Sequence, residues 1–202
     1  MSNLPIAPES DENARLKRII RAAEESFKRV GFRAVTMEMV AREANVAKAT
    51  LYGHFGNKDA LYLAVCARMA RLLRGAVERA LGQAEAPLDA RLGEAIVAKH
   101  RMVFALVRGS AHAAELFSTK DVMAGDIFAE LDSAILKSLS DAIAADAELA
   151  PGAGQLARAL YLGSTELANR TVSIAEMESE IGAFAAVHLA GARALFRQGE
   201  RR

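Results

Sequence analysis

TMEMVAREANVAKATLYGHF, from Thr36 to Phe55, is the stretch whose reading decides the fold. It reads as two short helices joined by a tight turn. Over Met37 to Ala44, the residues Val40, Ala41 and Ala44 fall on one face at helical spacing. Thr36 stands just ahead, where a side-chain oxygen caps free amides. The turn is Asn45-Val46-Ala47: Asn accepts the left-handed backbone that ends a helix, and Val46 is an apolar plug between the pair. The second helix, Lys48 to about His54, is of another kind. Its inner side needs only Leu51 and Phe55, which leaves Lys48, Thr50, Tyr52 and His54 to present charge, hydroxyls and a ring elsewhere. One face for a core and another for phosphates and base edges is the division expected of a DNA-reading helix.

These residues, with Lys58 and Leu61 beyond them, resemble the helix-turn-helix signature of TetR-family transcriptional regulators. The chain departs from the family's usual pattern at Asn45, where Gly is usual, at Ala47, where Ser caps the recognition helix, and at Gly53, where a larger residue is common. Losing the cap costs ~1 kcal/mol of local helix stability and a helical Gly about another 1 relative to Ala. The recognition helix is therefore expected to be only marginally stable on its own. The resemblance implies that Lys48 reaches a base edge, that Thr36, Thr50, Tyr52 and Lys58 meet phosphates, and that His54 does either or braces the helix.

Working outward, Asn13 to Val30 carries an inner stripe of Leu16, Ile19, Ile20, Ala23, Phe27 and Val30, with six basic residues outside it. Gly31 is the stop, and Phe32 is placed to fold back on Phe27. After Phe55, Asn57 caps a helix from about Lys58 to Leu81, whose first turn holds Asp59. Further helices are expected at about Leu88–Val107, Ser110–Phe117, Asp121–Ala147, Gln155–Val172 and Ala175–Arg197, with breaks at Ser118–Lys120 and at Ala150–Gly154. Residues 1 to about 11 lack periodicity and read as a loose arm. The expected class is all-α: a three-helix helix-turn-helix DNA-binding domain over 12–60, then a larger helical ligand-binding and dimerisation domain over 61–202, with the boundary inside the Lys58–Leu81 helix.

Composition agrees. The chain has 202 residues, 52% of them hydrophobic, and only 4 Pro, enough for a substantial helical core. A net charge of +1 requires any DNA affinity to come from a local basic surface. A single cysteine, Cys66, excludes an internal disulfide and suits a reducing cytoplasm; beside Leu63 and Val65 it reads as a packing residue more than a redox switch. The start is polar and acidic with no secretory pattern, and the apolar stretch Ile181–Phe196 is too short to span a bilayer. A cytoplasmic protein with no membrane partner is expected.

No catalytic constellation emerges. His54, His100, His112 and His188 form no paired ligand spacing, and neither a glycine-rich phosphate loop nor a nucleophile elbow is present. A non-enzyme without metal or cofactor is expected. An enzyme working in a helical cavity would need close acid–base or nucleophile pairs.

In the middle helices His100, Phe104, His112, Phe117, Phe128, Tyr161 and Thr165 combine large apolar and scattered polar side chains. By resemblance this region encloses a pocket for a small-molecule inducer; taken singly, the same residues read as ordinary core. The last two helices are apolar around more than one face, and by resemblance they pair with their copies in a second subunit as a four-helix bundle. The resemblance thus implies a homodimeric repressor released from double-stranded DNA, at an inverted-repeat operator, by a small ligand. The alternative is a ligand-independent DNA-binding regulator whose large domain contacts another protein.

Overall fold

The computed structural model describes residues 11–108 and 110–199, without the side chains of 106–108, 113, 114, 117, 198 and 199. The arm read over residues 1 to about 11 therefore lies almost wholly outside the described residues. Among those described there are nine α-helices and no strand, so the chain is all-α. They are α1 (Asp11–Ala34), α2 (Met37–Glu43), α3 (Lys48–His54), α4 (Lys58–Leu81), α5 (Leu88–Arg108), α6 (Ala113–Met123), α7 (Gly125–Ala144), α8 (Ala153–Arg170) and α9 (Ile174–Gly199).

The local stops follow from residue chemistry. Gly31 breaks α1 with φ +82° and ψ 160°, and the Phe27 and Phe32 rings then meet at 5.7 Å, the fold-back contact expected there. A side chain at position 31 would be doubly excluded, because an added Cβ would lie 2.3 Å from Glu115 Oε2. Asn45 takes φ +51°, the left-handed conformation its short polar side chain tolerates. Asn57 Oδ1 accepts from the Ala60 amide at 2.8 Å, and Ser173 Oγ from the Glu176 amide at 3.2 Å, capping α4 and α9.

One expected boundary is corrected. The break at Ser118–Lys120 and the helix start at Asp121 are absent: α6 runs on to Met123, and the interruption falls at Ala124. Ser118 turns its hydroxyl back onto the Glu115 carbonyl, 3.0 Å away, so a polar residue that reads as a breaker is satisfied inside the helix.

The chain forms two compact units. One holds the described residues up to Arg68 with the segment through Gly125, and the other Met69–Arg108 with the chain from Asp126 on. The first therefore takes in α6 as well as α1, α2, α3 and the start of α4. Its core is Ile19, Phe27, Val40, Leu51 and Leu61, each almost wholly buried. α6 is tied to the end of α1 by Glu115 Oε1 accepting from the Arg33 amide at 2.7 Å and by Ser110 Oγ donating to the Lys28 carbonyl at 2.8 Å. Tyr62 OH donates to the Leu116 carbonyl at 2.8 Å.

The second unit buries Leu92, Ile135, Leu139, Ile143, Leu160 and Ile181 as one cluster between α5, α7, α8 and α9. Gly163 lets α8 and α9 close on each other, since an added Cβ would sit 2.3 Å from the Phe184 ring. At one end the Arg193 guanidinium forks onto both Asp89 carboxylate oxygens, at 2.8 and 2.7 Å, and reaches Asp146 at 3.1 Å. No helix is long and apolar enough to cross a membrane among the described residues.

Candidate nucleic-acid interface

The reading head is built on a small number of buried anchors. Val40, Ala41 and Ala44 on α2 and Leu51 on α3 are buried, with Phe55 closing the pair just beyond α3. Thr36 Oγ1 accepts from the Met39 amide at 3.2 Å and so serves as the cap of α2. Ala47 offers α3 no side-chain cap, yet α3 runs the full Lys48–His54 because Leu51 is held in the core. Gly53 has nothing within 4 Å of where a Cβ would stand, so no neighbour demands glycine there.

The opposite face of α3 is open. Lys48 and Tyr52 are exposed, while Thr50 and His54 are partly covered, the His54 ring lying 6.5 Å from that of Phe55. Lys48 is not idle in the free protein. Its ammonium pairs with the Glu38 carboxylate on α2 and lies 5.6 Å over the Tyr52 ring. The hydrogen bond from Lys48 holds Glu38 below the usual carboxylate range, and the same contact raises Lys48. Sequence spacing alone did not single out Glu38, which shares Lys48's exposed surface.

Lys58 is committed inward. Its Nζ donates to the carbonyls of Phe32, at 2.9 Å, and Arg33, at 3.2 Å, and lies 4.6 Å over the Phe32 ring. An ammonium has three N–H groups, so one is left to meet a phosphate. Lys58→Met should therefore destabilise the protein by about 1 to 3 kcal/mol by leaving two carbonyls of the α1 end without their charged donor. Urea denaturation of Lys58→Met beside Lys58→Arg is the check, and equal midpoints for wild type and Lys58→Met would remove this structural role.

Residues 19–65 match the family described as bacterial regulatory proteins, tetR family. Over this stretch the chain is similar to the TetR family. The HTH-type transcriptional regulator YhgD of Bacillus subtilis (strain 168), itself uncharacterized, is 48% identical over 48 residues, 24% of this chain and 25% of that protein. The match thus spans about a quarter of that relative's length. A candidate TetR-family regulator from Mesorhizobium loti MAFF303099 superposes with a TM-score of 0.68 at 19% identity, covering 90% of this chain and 98% of that one, a likeness of fold. A TetR transcriptional regulator from Rhodococcus sp. RHA1 gives 0.54 at 26% identity, covering 89% and 98%.

The residues read as lining a TetR-type inducer pocket divide between the units. His112 lies in the first, just before α6, with its amide on Ser110 Oγ at 3.1 Å and Nδ1 3.9 Å from Glu115 Oε2. The Phe117 side chain lies outside the described residues. His100, Phe104, Phe128, Tyr161 and Thr165 lie in the second unit. There His100 is buried with Nε2 3.1 Å from Ser164 Oγ, Tyr161 OH bonds to Asp132, and Thr165 Oγ1 donates to the Tyr161 carbonyl at 2.9 Å. Phe104 and Phe128 are half-buried against the core. The sequence reading missed Lys99, which joins this cluster. Burial pulls its amine down to about 8, and burial likewise carries His100 down to about 3 with Lys99 adding to the fall.

Cys66 is buried, and desolvation pushes its thiol up to about 11, so it stays protonated and packs. Among the described residues no group of three or more His, Cys, Asp or Glu is placed to hold a metal ion.

Proposed function

We propose that the protein is a sequence-specific, homodimeric transcriptional repressor, released from an inverted-repeat operator by a small ligand, and not an enzyme. The observation that carries the DNA-reading role is α3 itself. Its inner side is fixed by a fully buried Leu51, and its outer side holds Lys48 and Tyr52 in the open. A helix held this rigidly presents its first turn to a major groove, as helix-turn-helix proteins do. Lys48 reads a base edge, with Thr36, Thr50, Tyr52 and Lys58 on phosphates and His54 at the margin. Two copies set one helical turn of DNA apart, about 34 to 36 Å, read two half-sites.

The dimer is supported by an apolar face on α9 that stays exposed among the described residues, and the effector role by the polar cluster around His100 and Tyr161. Release requires that the ligand bind the DNA-free form better, and by linkage DNA then weakens the ligand by the same factor.

The test separates base reading from charge. Operator fragments selected from genomic DNA supply the specific site, and a scrambled duplex the reference. Lys48→Ala should relax preference at one base pair by about 5- to 150-fold while changing random-DNA affinity much less. Equal losses on both duplexes would withdraw Lys48 from base recognition.

A further inference from the structure

The second unit contains a cation, Lys99, that has no counterion in contact among the described residues. Lys99 extends from α5 toward α8, with Nζ 3.6 Å from the centroid of the Tyr161 ring and 3.4 Å from Thr165 Oγ1. That bond is at the outer limit of length. The Thr165 hydroxyl donates its own proton to the Tyr161 carbonyl, so its oxygen faces Lys99 as a neutral acceptor. Ser164 spends its proton the same way, at 2.9 Å, which makes His100 Nε2 the donor to Ser164; burial keeps the imidazole neutral. Asp132 attracts Lys99 from α7, but its carboxylate is bonded to the Tyr161 phenol and makes no ion pair with the ammonium. Among the described residues, the groups touching Nζ are therefore uncharged.

Such an arrangement costs stability. A lysine drawn out of water needs a paired charge, and burial here already lowers its amine to about 8. A methionine would fill the same space as the lysine stem without that cost. The surroundings are suited to an amphipathic guest. Met102 and Val103 lie one helical turn beyond Lys99, and Phe128 and Leu136 one turn to either side of Asp132, all of them half-buried against the core.

We propose that Lys99 anchors an organic-anion site: a small carboxylate pairs with Lys99 Nζ and displaces its long contact to Thr165, while its apolar body lies along α5 and α7. This names the chemical class of the effector and rests on reading the second unit as the effector-binding part. The carboxylate uses the N–H groups that Thr165 and the Tyr161 ring leave weakly occupied, and the neutral His100 beside it offers no competing charge.

The experiment is calorimetric titration of the protein with octanoate and with benzoate, using octan-1-ol and octylamine as matched controls. Wild type should bind a carboxylate about 10- to 100-fold more tightly than the alcohol, and the amine should not compete. Lys99→Met should lose that same factor, Lys99→Arg should retain most of the affinity, and Thr165→Val should lose a few-fold. Lys99→Met should melt no lower than wild type without ligand, which separates loss of the site from loss of the fold. Failure of wild type to bind either carboxylate, equal binding of acid and alcohol, or undiminished binding by Lys99→Met would each overturn the assignment. Operator affinity is measured in parallel. Carboxylate binding that leaves DNA affinity unchanged would sink the effector reading and keep the site; intact operator binding with no carboxylate bound would sink the site alone.

Discussion

Replacing Val187 and Leu195 together by glutamate should turn the protein into monomers and weaken operator binding by about 100- to 10,000-fold, the gain that joining two reading heads confers. Val187 is 70% and Leu195 69% exposed, unusually open for side chains of their size, and Leu162 on α8 is 54% exposed. Ala183, Ala190 and Ala194 share this face at helical spacing and are exposed too. The buried face of α9 is a separate line of Met177, Ile181, Ala185 and Leu189. α9 thus carries two apolar faces, of which the described residues cover one. Small residues on the open face allow a second helix to approach closely, and Gly191 adds to this with nothing near it. A carboxylate at each of two positions on that contact would have to be stripped of water on association, whereas in the monomer both stay solvated and cost little. The variant should therefore keep wild-type helicity and fold. Sedimentation and operator titration on the same preparation are the measurements. A double variant that stays dimeric removes α9 from the interface, and a monomer that grips the operator as tightly as wild type removes the two-headed mechanism.

The helix-turn-helix was legible almost to the residue because its signals are local. Thr36 caps, Asn45 turns, Gly31 stops, and each acts within a few positions of itself. The two faces of α9 were legible for a related reason, since periodicity records how many sides a helix must bury, though not what covers the second. What lay beyond reading depends on partners far along the chain. Lys99 between Ala98 and His100 looks like a solvated lysine, and only the fold brings it onto Tyr161 and onto Thr165, 66 positions away. Lys58 read as a phosphate donor because it opens a helix next to the motif; its two carbonyl partners belong to the end of α1. α6 resisted reading because Ser118 is satisfied within the helix, so polarity gave a false break.

Lowering the pH should expose the cost of one buried histidine. His100 is 4% exposed, and burial is the main reason its imidazole is carried down from 6.5 to about 3, with the neighbouring Lys99 charge adding to the effect. The unfolded chain takes up a proton near 6.5 and the folded protein refuses it until about 3, so between those values the unfolded state binds more protons. Stability then rises with pH across that window: it is complete above 6.5, falls steadily below it, and levels off near 3. At ~1.4 kcal/mol per unit, the loss from this one group reaches about 3 to 5 kcal/mol, a large part of the stability of an ordinary domain. Carboxylate ion pairs such as Arg193 with Asp89 and Asp146 also fail in acid, so the comparison must be differential. His100→Gln keeps a donor for Ser164 and does not titrate. Urea denaturation of both proteins at stepped pH should show wild type losing about 2 kcal/mol more than the variant between neutrality and the onset of carboxylate protonation near pH 5. Parallel curves would mean that His100 takes up its proton, at Nδ1, in the folded state, with Nε2 still donating to Ser164.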